Sequence, residues 1–162
     1  MSQLVPAFPL LEEPGDWDAL TLVAATCFLE AEAEPDDGIL GVAWVIRRRA
    51  IDWKAGWKGA VLGKDLQAYG DGRPFEAFSC WNDDYVARAK SRLAAAPEAA
   101  TTQCWRSAAG VLWEMLPDPV AGASFYLNVP LTKKIRPDGG LPGWYSEEKV
   151  TRTIGRHTFL KG

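Results

Sequence analysis

The sequence predicts an α+β fold that is mainly helical, with a helical core and a small β/loop region at its flank. Apolar residues recur at helical spacing in several segments before residue 117. From residue 117 onward the chain is rich in Gly and Pro and carries short β-like pieces. A hydrophobic fraction of 48% over 162 residues is enough for one core. We therefore expect a single domain over residues 1–162, with residues 1–15 as an N-terminal extension.

The first helix is predicted to begin after Asp16, its N-cap, and to run to about Ala33. Val23 and Cys27 belong to an apolar stripe that repeats at helical spacing within it. Pro35 follows the helix, and helices usually end before a proline.

A second helix is predicted over GILGVAWVIRRRAIDW, with Asp36 or Asp37 as its N-cap. Its first half is apolar nearly all round, which is typical of a central buried helix. Residues 47–49 are all arginine, and cations near a helix C-terminus complement the helix dipole.

The next segment, WKGAVLGKDLQAYGDGRPFEAFSCWND, is expected to be irregular, with a short extended piece at FEAFSC. Two further helices are predicted, over YVARAKSRLAAA and over TTQCWRSAAGVLWEML. Thr101 or Thr102 is the expected N-cap of the second of them.

Charge and cysteine usage exclude several classes of function. The net charge of −3 provides no basic surface for nucleic acid, and no apolar run is long enough for stable membrane insertion. The N-terminal segment lacks the positive charges of a signal peptide, so synthesis in the cytoplasm is expected. The three cysteines form no metal-binding pattern. Cys27 and Cys104 are expected to be reduced and buried.

Three acidic residues alternate where the first helix ends, at Glu30, Glu32 and Glu34. Glu30 is seven residues after Val23 and three after Cys27, so it falls on or beside the apolar stripe, whereas Glu32 points toward solvent. A half-buried carboxyl group that keeps its proton can protonate a leaving group. The alternative interpretation is a solvated acid in a polar last turn.

Several motifs, in order along the chain, resemble a bacterial cell-wall hydrolase family that includes the spore cortex-lytic enzymes. EAEAEPDDGILGVAWVIRRR, residues 30–49, resembles E-A-R-G-E-P-x-x-G-Q-x-A-V-A-x-V-x-x-N-R, and Glu30 falls on its first Glu. FSCWND, GASFYLNVP, GLPGW and IGRHTFLK resemble later family segments, so the resemblance covers about residues 16–161. The chain departs from the pattern at Glu32 (family Arg), Ala33 (Gly), Arg48 (Asn) and Phe125 (His).

The resemblance implies a lysozyme-like domain in which a glycan groove lies beside the helical core. It also implies a substrate, the peptidoglycan glycan strand, cut between N-acetylmuramic acid and N-acetylglucosamine. Glu30 would serve as the general acid and base of a lytic transglycosylase, without a metal or a cofactor. A true muramidase would instead activate water with a second carboxylate, Glu34 or Asp83. A third possibility is a non-catalytic glycan-binding or virion protein on the same fold.

Other residues are candidates for substrate binding, each with a structural alternative. Ser79 could hydrogen-bond near the acid or the sugar, and Tyr126 and Asn128 could point to the same side of an extended segment. Aromatic residues that could stack on sugar rings are Trp81, Trp144 and Tyr145.

Glu34 could influence Glu30 through its like charge, but a role as cap of the next helix is favoured. His157 is the only histidine, and without a neighbouring nucleophile motif it is interpreted as structural. For a peptidoglycan enzyme without an export signal, we expect delivery through a holin, as in a phage-type endolysin, or as a component of a phage-like particle.

Overall fold

The computed structural model describes residues 5–63 and 78–162 and is mainly helical with a small antiparallel sheet, which confirms the predicted α+β class. The described helices are α1 (Ala19–Ala31), α2 (Asp36–Asp52), α3 (Gly56–Leu62), α4 (Val86–Ala94), α5 (Glu98–Leu112) and α6 (Val129–Ile135). The strands are β1 (Phe125–Leu127), β2 (Val150–Ile154) and β3 (His157–Leu160). Short 3-10 turns cover Pro14–Asp16, Ser79–Trp81 and Glu147–Lys149.

The centre of the core is α1, which packs against both α2 and α5. Every residue from Thr21 to Leu29 is buried. The sequence favoured α2 as the central helix, and α2 is indeed buried over Gly38–Ala43. However, α1 carries no charged residue between Asp18 and Glu30, so it can be enclosed on all sides.

The helix starts differ from the predicted ones. Asp18 rather than Asp16 caps α1, and its carboxylate accepts a hydrogen bond from the Thr21 amide at 2.7 Å. Asp16 instead belongs to the 3-10 turn that Pro14 begins. Prolines with extended backbone precede both α2 and α5, at positions 35 and 97, and neither helix has a side-chain cap. The first amides of an α-helix have no carbonyl partner within the helix. Proline has no backbone N–H to leave unpaired and therefore fits at the start of a helix.

The sheet has the order β1–β3–β2, and both pairs are antiparallel. Tyr126 in β1 lies opposite Phe159 in β3. The hairpin between β2 and β3 turns at Gly155, which has a φ of +57°. A Cβ atom at this glycine would also clash with Glu34 Oε2. The turn therefore requires glycine for its positive φ and for the absence of a side chain. The sheet is thereby brought against the junction of α1 and α2.

The described part of the N-terminal extension, from residue 5 onward, packs on the helical core. Phe8 stacks on Trp105 of α5 with ring centroids 5.3 Å apart, and the Trp17 indole donates to the Pro9 carbonyl. Over the described ranges, 5–63 and 78–162, no helix has the length and apolar character needed to cross a bilayer. The predicted extended piece at FEAFSC lies outside these ranges except for its last three residues, of which Ser79 and Cys80 belong to a 3-10 turn.

Candidate active site

Glu30 lies in the last turn of α1 and is half-buried at the edge of the core. Its carboxylate borders a cavity of about 430 Å³, whose wall is completed by the 3-10 turn and by α4. The lining residues are Leu29, Glu30, Ser79, Cys80, Asn82, Tyr85, Arg88, Ala89 and Arg92. The buried stripe of α1 therefore ends in an acid that faces an open, sugar-sized space.

A second cavity, of about 170 Å³, meets the first at Glu30 and Ser79. Its remaining lining residues are Arg49, Phe78 and Tyr126, which come from α2, the segment before the 3-10 turn, and β1. Among the sequence candidates, the structure thus brings together Glu30, Ser79 and Tyr126. Glu30 and Ser79 border both spaces, and a chain threaded through the two cavities would pass the Glu30 carboxylate.

The Glu30 carboxylate is held by a tyrosine hydroxyl. Tyr126 donates from its hydroxyl to Glu30 Oε2 at 2.8 Å. Burial raises the pKa of Tyr126 well above its usual value, and the negative charge of Glu30 and this hydrogen bond raise it further. Tyr126 consequently keeps its proton and acts as a fixed donor toward the carboxylate.

Cys80 lines the same cavity as Glu30. The pKa of its thiol is raised well above the usual value, by burial first and then by the Glu30 charge. The sulfur is therefore a thiol and not the thiolate that a nucleophile would require. Its contribution to the site is a neutral thiol in the wall beside Glu30.

Arg49 supplies a fixed positive charge beside Glu30. Its Nε donates to the Ser124 carbonyl at 2.8 Å, and its guanidinium carbon lies 5.0 Å from the Phe78 ring centroid and 5.2 Å from that of Phe125. Burial lowers the pKa of Arg49, while its interactions with Tyr126 and Glu30 act in the opposite direction. A guanidinium held among aromatic rings can compensate the negative charge that Glu30 carries whenever its proton has left.

Glu34 is engaged elsewhere and is not the predicted helix cap. Its side chain is 3% exposed, and it accepts hydrogen bonds from the Arg156 amide and from Arg156 Nε, both at 2.8 Å. Although burial alone would raise the pKa of Glu34, these two hydrogen bonds hold it below its usual value. Glu34 therefore fastens the β2–β3 hairpin to the end of α1, and it is absent from the described lining of the two Glu30 cavities.

Two predicted sugar contacts have structural roles instead. Trp81 is only 3% exposed, its indole donates to Thr26 Oγ1 at 2.8 Å, and its buried ring is not available to stack on a sugar. Asn128 follows β1 and does not continue the strand. Its side chain caps α6 by accepting from the Leu131 amide at 3.0 Å.

Trp144 remains a candidate for sugar stacking at a different place. It is 44% exposed and packs against Phe125 with ring centroids 5.4 Å apart. Both rings border a separate cavity of about 610 Å³, together with Trp53. Tyr145, the other aromatic candidate, donates from its hydroxyl to the exposed Glu147.

Three of the four residues that depart from the family motif contact other side chains. Glu32 forms an ion pair with Arg92 of α4 at 2.9 Å, and Arg48 pairs with Asp118 at 3.4 Å. Phe125 packs between the Arg49 guanidinium and Trp144.

His157 lies behind the tyrosine that holds the acid. It is buried in β3 with its ring centroid 4.7 Å from that of Tyr126, and burial lowers its pKa. This placement supports the interpretation of His157 as a structural residue that sets the position of Tyr126.

The described part of the chain offers one carboxylate to the two cavities. Asp83, the other proposed partner acid, is exposed and borders a different cavity with Trp81 and Lys90. Within residues 5–63 and 78–162, no cluster of three or more His, Cys, Asp or Glu side chains is placed to hold a metal ion.

Arg49 and Cys80 are site residues that sequence reasoning missed. Arg49 was assigned to the helix dipole with its two neighbours, although it is seven residues after Val42 and four after Val45, on the buried stripe of α2. Helical periodicity was therefore a usable signal for Arg49. Cys80 lies between an exposed serine and a buried tryptophan, and no local pattern places its thiol against a helix in a distant segment.

Comparison with known proteins identifies a family. The family model described as Cell Wall Hydrolase matches residues 33–160 of the chain. No curated protein and no solved structure matches. The matched range begins after Glu30, so the role of Glu30 depends on the geometry above and stays a prediction.

Proposed function

Because the chain belongs to the cell wall hydrolase family, we propose that it cleaves peptidoglycan glycan strands as a lytic transglycosylase with Glu30 as its acid. The observation that carries this proposal is the placement of the Glu30 carboxylate. It faces two adjoining cavities, and the Tyr126 hydroxyl orients it. Preorganised donors fix a catalytic carboxylate in one geometry before the substrate arrives.

In the proposed reaction, Glu30 first gives its proton to the oxygen of the bond between N-acetylmuramic acid and N-acetylglucosamine. The bond from the muramoyl C1 to this oxygen breaks, and the glucosamine residue leaves as an alcohol. The ionised Glu30 then takes the proton of the muramoyl 6-hydroxyl while O6 bonds to C1. The product is a 1,6-anhydro ring, and the carboxyl group returns to its protonated state.

The arrangement of carboxylates favours this route over hydrolysis by a muramidase. A hydrolase of the two-carboxylate type needs a second acid near the scissile bond. Glu34 is committed to Arg156, and Asp83 borders another cavity. Glu30 is the single carboxylate among the described residues that line its two cavities, and one carboxylate is sufficient for the anhydro-forming reaction.

Replacing the acid tests the proposal. Glu30→Gln keeps the shape of the side chain and removes its proton transfer, so clearing of purified sacculi in a zymogram should fall by about 10³-fold. Glu12→Gln makes the same chemical change at an exposed residue in the N-terminal extension and should clear the wall like the unmodified protein. Equal clearing by both variants would remove Glu30 from the mechanism.

Mass spectrometry of the digest separates the two enzymatic routes. Anhydromuramoyl ends are expected if the 6-hydroxyl is the nucleophile, whereas reducing muramic acid ends would assign the protein to the muramidases. A non-catalytic glycan-binding protein would bind sacculi without releasing either product.

Delivery to the wall through a holin, or as a component of a phage-like particle, stays a prediction. Expression in a host that lacks a holin gene tests it, because the protein should then stay in the cytoplasm. Its appearance in the wall fraction of that host would contradict this route.

A further inference from the structure

The cavity beside Glu30 has a cationic wall that the proposed reaction does not use. Helix α4 places Arg88 and Arg92 four residues apart, on one face, and both line the 430 Å³ cavity. Ala89 also lines the cavity, and Ala89 and Leu93 are buried, so α4 is held against the core. The packed helix therefore fixes the side of the cavity from which both arginine side chains extend.

The two arginines differ in how their charge is compensated. Arg92 forms an ion pair with Glu32 at 2.9 Å. Arg88 is exposed and makes no hydrogen bond or ion pair within the described residues. By contrast Lys90, on the same helix, pairs with Glu13 at 3.2 Å and borders a different cavity. Arg88 is thus an unpaired guanidinium in the same cavity as the proposed acid.

We propose that Arg88 binds a carboxylate carried on the 3-oxygen of the muramoyl residue, in a subsite adjoining Glu30. This inference rests on the proposed function, since it takes the glycan strand as the molecule that fills the cavity. Guanidinium groups recognise carboxylates through paired, charge-assisted hydrogen bonds. In peptidoglycan the muramoyl sugar alone bears an acidic 3-substituent, so the contact would also set which sugar lies at Glu30. The carboxylate belongs either to the lactyl group of a strand without its peptide or to the peptide stem.

Titration with small ligands that contain no cleavable glycosidic bond tests the subsite. N-acetylmuramic acid carries the free lactyl carboxylate, N-acetylmuramoyl-L-alanyl-D-glutamate carries stem carboxylates, and N-acetylglucosamine carries neither. Chemical-shift titration of the unmodified protein should show that one or both acids bind about tenfold more tightly than the neutral sugar, the gain expected of one charge-assisted hydrogen bond. The acid with the larger advantage identifies the source of the carboxylate.

The variant Arg88→Gln should lose the preference for the acid and keep its affinity for N-acetylglucosamine. Lys90→Gln removes the same charge from the other side of α4 and should keep the preference. An unchanged preference in Arg88→Gln, an equal loss of affinity for all ligands, or no preference in the unmodified protein at millimolar ligand would each overturn the proposal. These titrations involve no cleavage, so they can fail while Glu30 proves to be the acid, or succeed while Glu30→Gln still clears the wall.

Discussion

At the scale of single residues, the site depends on the contacts of one carboxylate with three other side chains. Tyr126 hydrogen-bonds to Glu30, Cys80 lines the same cavity, and Arg49 lies close enough for its charge to interact with that of Glu30. None of these contacts is local in sequence, because the four residues come from α1, α2, the 3-10 turn and β1. Helical spacing could predict that Glu30 reaches the edge of the core, but it could not predict which side chains meet it there.

Removing the Tyr126 hydroxyl should weaken catalysis more than folding. In Tyr126→Phe the ring still packs against His157, whereas Glu30 loses a donor. We expect kcat to fall about tenfold, as for one hydrogen bond to a charged group, with a small change in thermal midpoint. The rate of release of soluble muropeptides measures the effect. Tyr145→Phe is the matched control, since its hydroxyl contacts only an exposed acid among the described residues, and a loss of the same size there would contradict the role of Tyr126.

At the scale of elements, Glu34 joins the β2–β3 hairpin to the helices. The folded-state pKa of Glu34 lies below its usual value of 4.5, so its contribution to stability is present above that pH and disappears as the pH falls below it. We expect Glu34→Gln to lose about 2 kcal/mol in the free energy of unfolding at pH 7. The difference from the unmodified protein should shrink as the pH falls below about 4.5.

Urea denaturation at several pH values measures this dependence. Glu13→Gln is a suitable control, because its ion pair with Lys90 is exposed and such pairs contribute between about 0 and 1 kcal/mol. A loss in Glu34→Gln that stayed constant across the pH range would argue against the ion pair with Arg156 as its cause.

The approach of the sheet to α2 depends on a glycine in the helix. A Cβ atom at Gly41 would lie 2.7 Å from Val120 Cγ1 and 2.8 Å from Phe159 Cζ, both inside normal contact distance. Alanine has the higher helix propensity, by about 1 kcal/mol, so Gly41→Ala would stabilise an unconstrained helix. We expect a net loss of about 2 kcal/mol instead, because a buried clash must be relieved. Thermal denaturation checks this, with Gly15→Ala, whose Cβ meets nothing within 4 Å, as the control.

The regular elements were predicted with differing success, for physical reasons. Apolar periodicity located α1, α2, α4 and α5, but α3 and α6 are only seven residues long and too short for a periodic pattern. The starts of α2 and α5 were misplaced because a proline, and not a polar side chain, precedes the first turn. The start of α1 was misplaced because Asp16 belongs to a 3-10 turn and Asp18 is the cap. Two glycines in α3 further obscured it, since glycine is the poorest helix former after proline.

At the scale of the whole molecule, the fold class followed from composition and patterning, whereas the cavities did not. The walls around Glu30 are built from segments that span the chain from Leu29 to Tyr126, and only tertiary packing brings them together. The family resemblance indicated which sequence motifs belong together, but not how they pack around Glu30. The cationic wall of α4 lay outside every motif and could be recognised only once α4 was seen beside α1.

The contribution of the N-terminal extension to the stability of the whole domain can be tested at Phe8. Phe8 is 9% exposed and stacks on Trp105, so the extension should unfold with the core in one cooperative transition. Phe8→Ala removes this contact and should cost about 3 kcal/mol, measured as a lower midpoint of a single thermal transition. Leu11→Ala, at a fully exposed position three residues away, should leave the midpoint nearly unchanged. If the extension were an independent appendage, Phe8→Ala would leave the main transition where it is, and the stacking on α5 would contribute nothing to the stability of the domain.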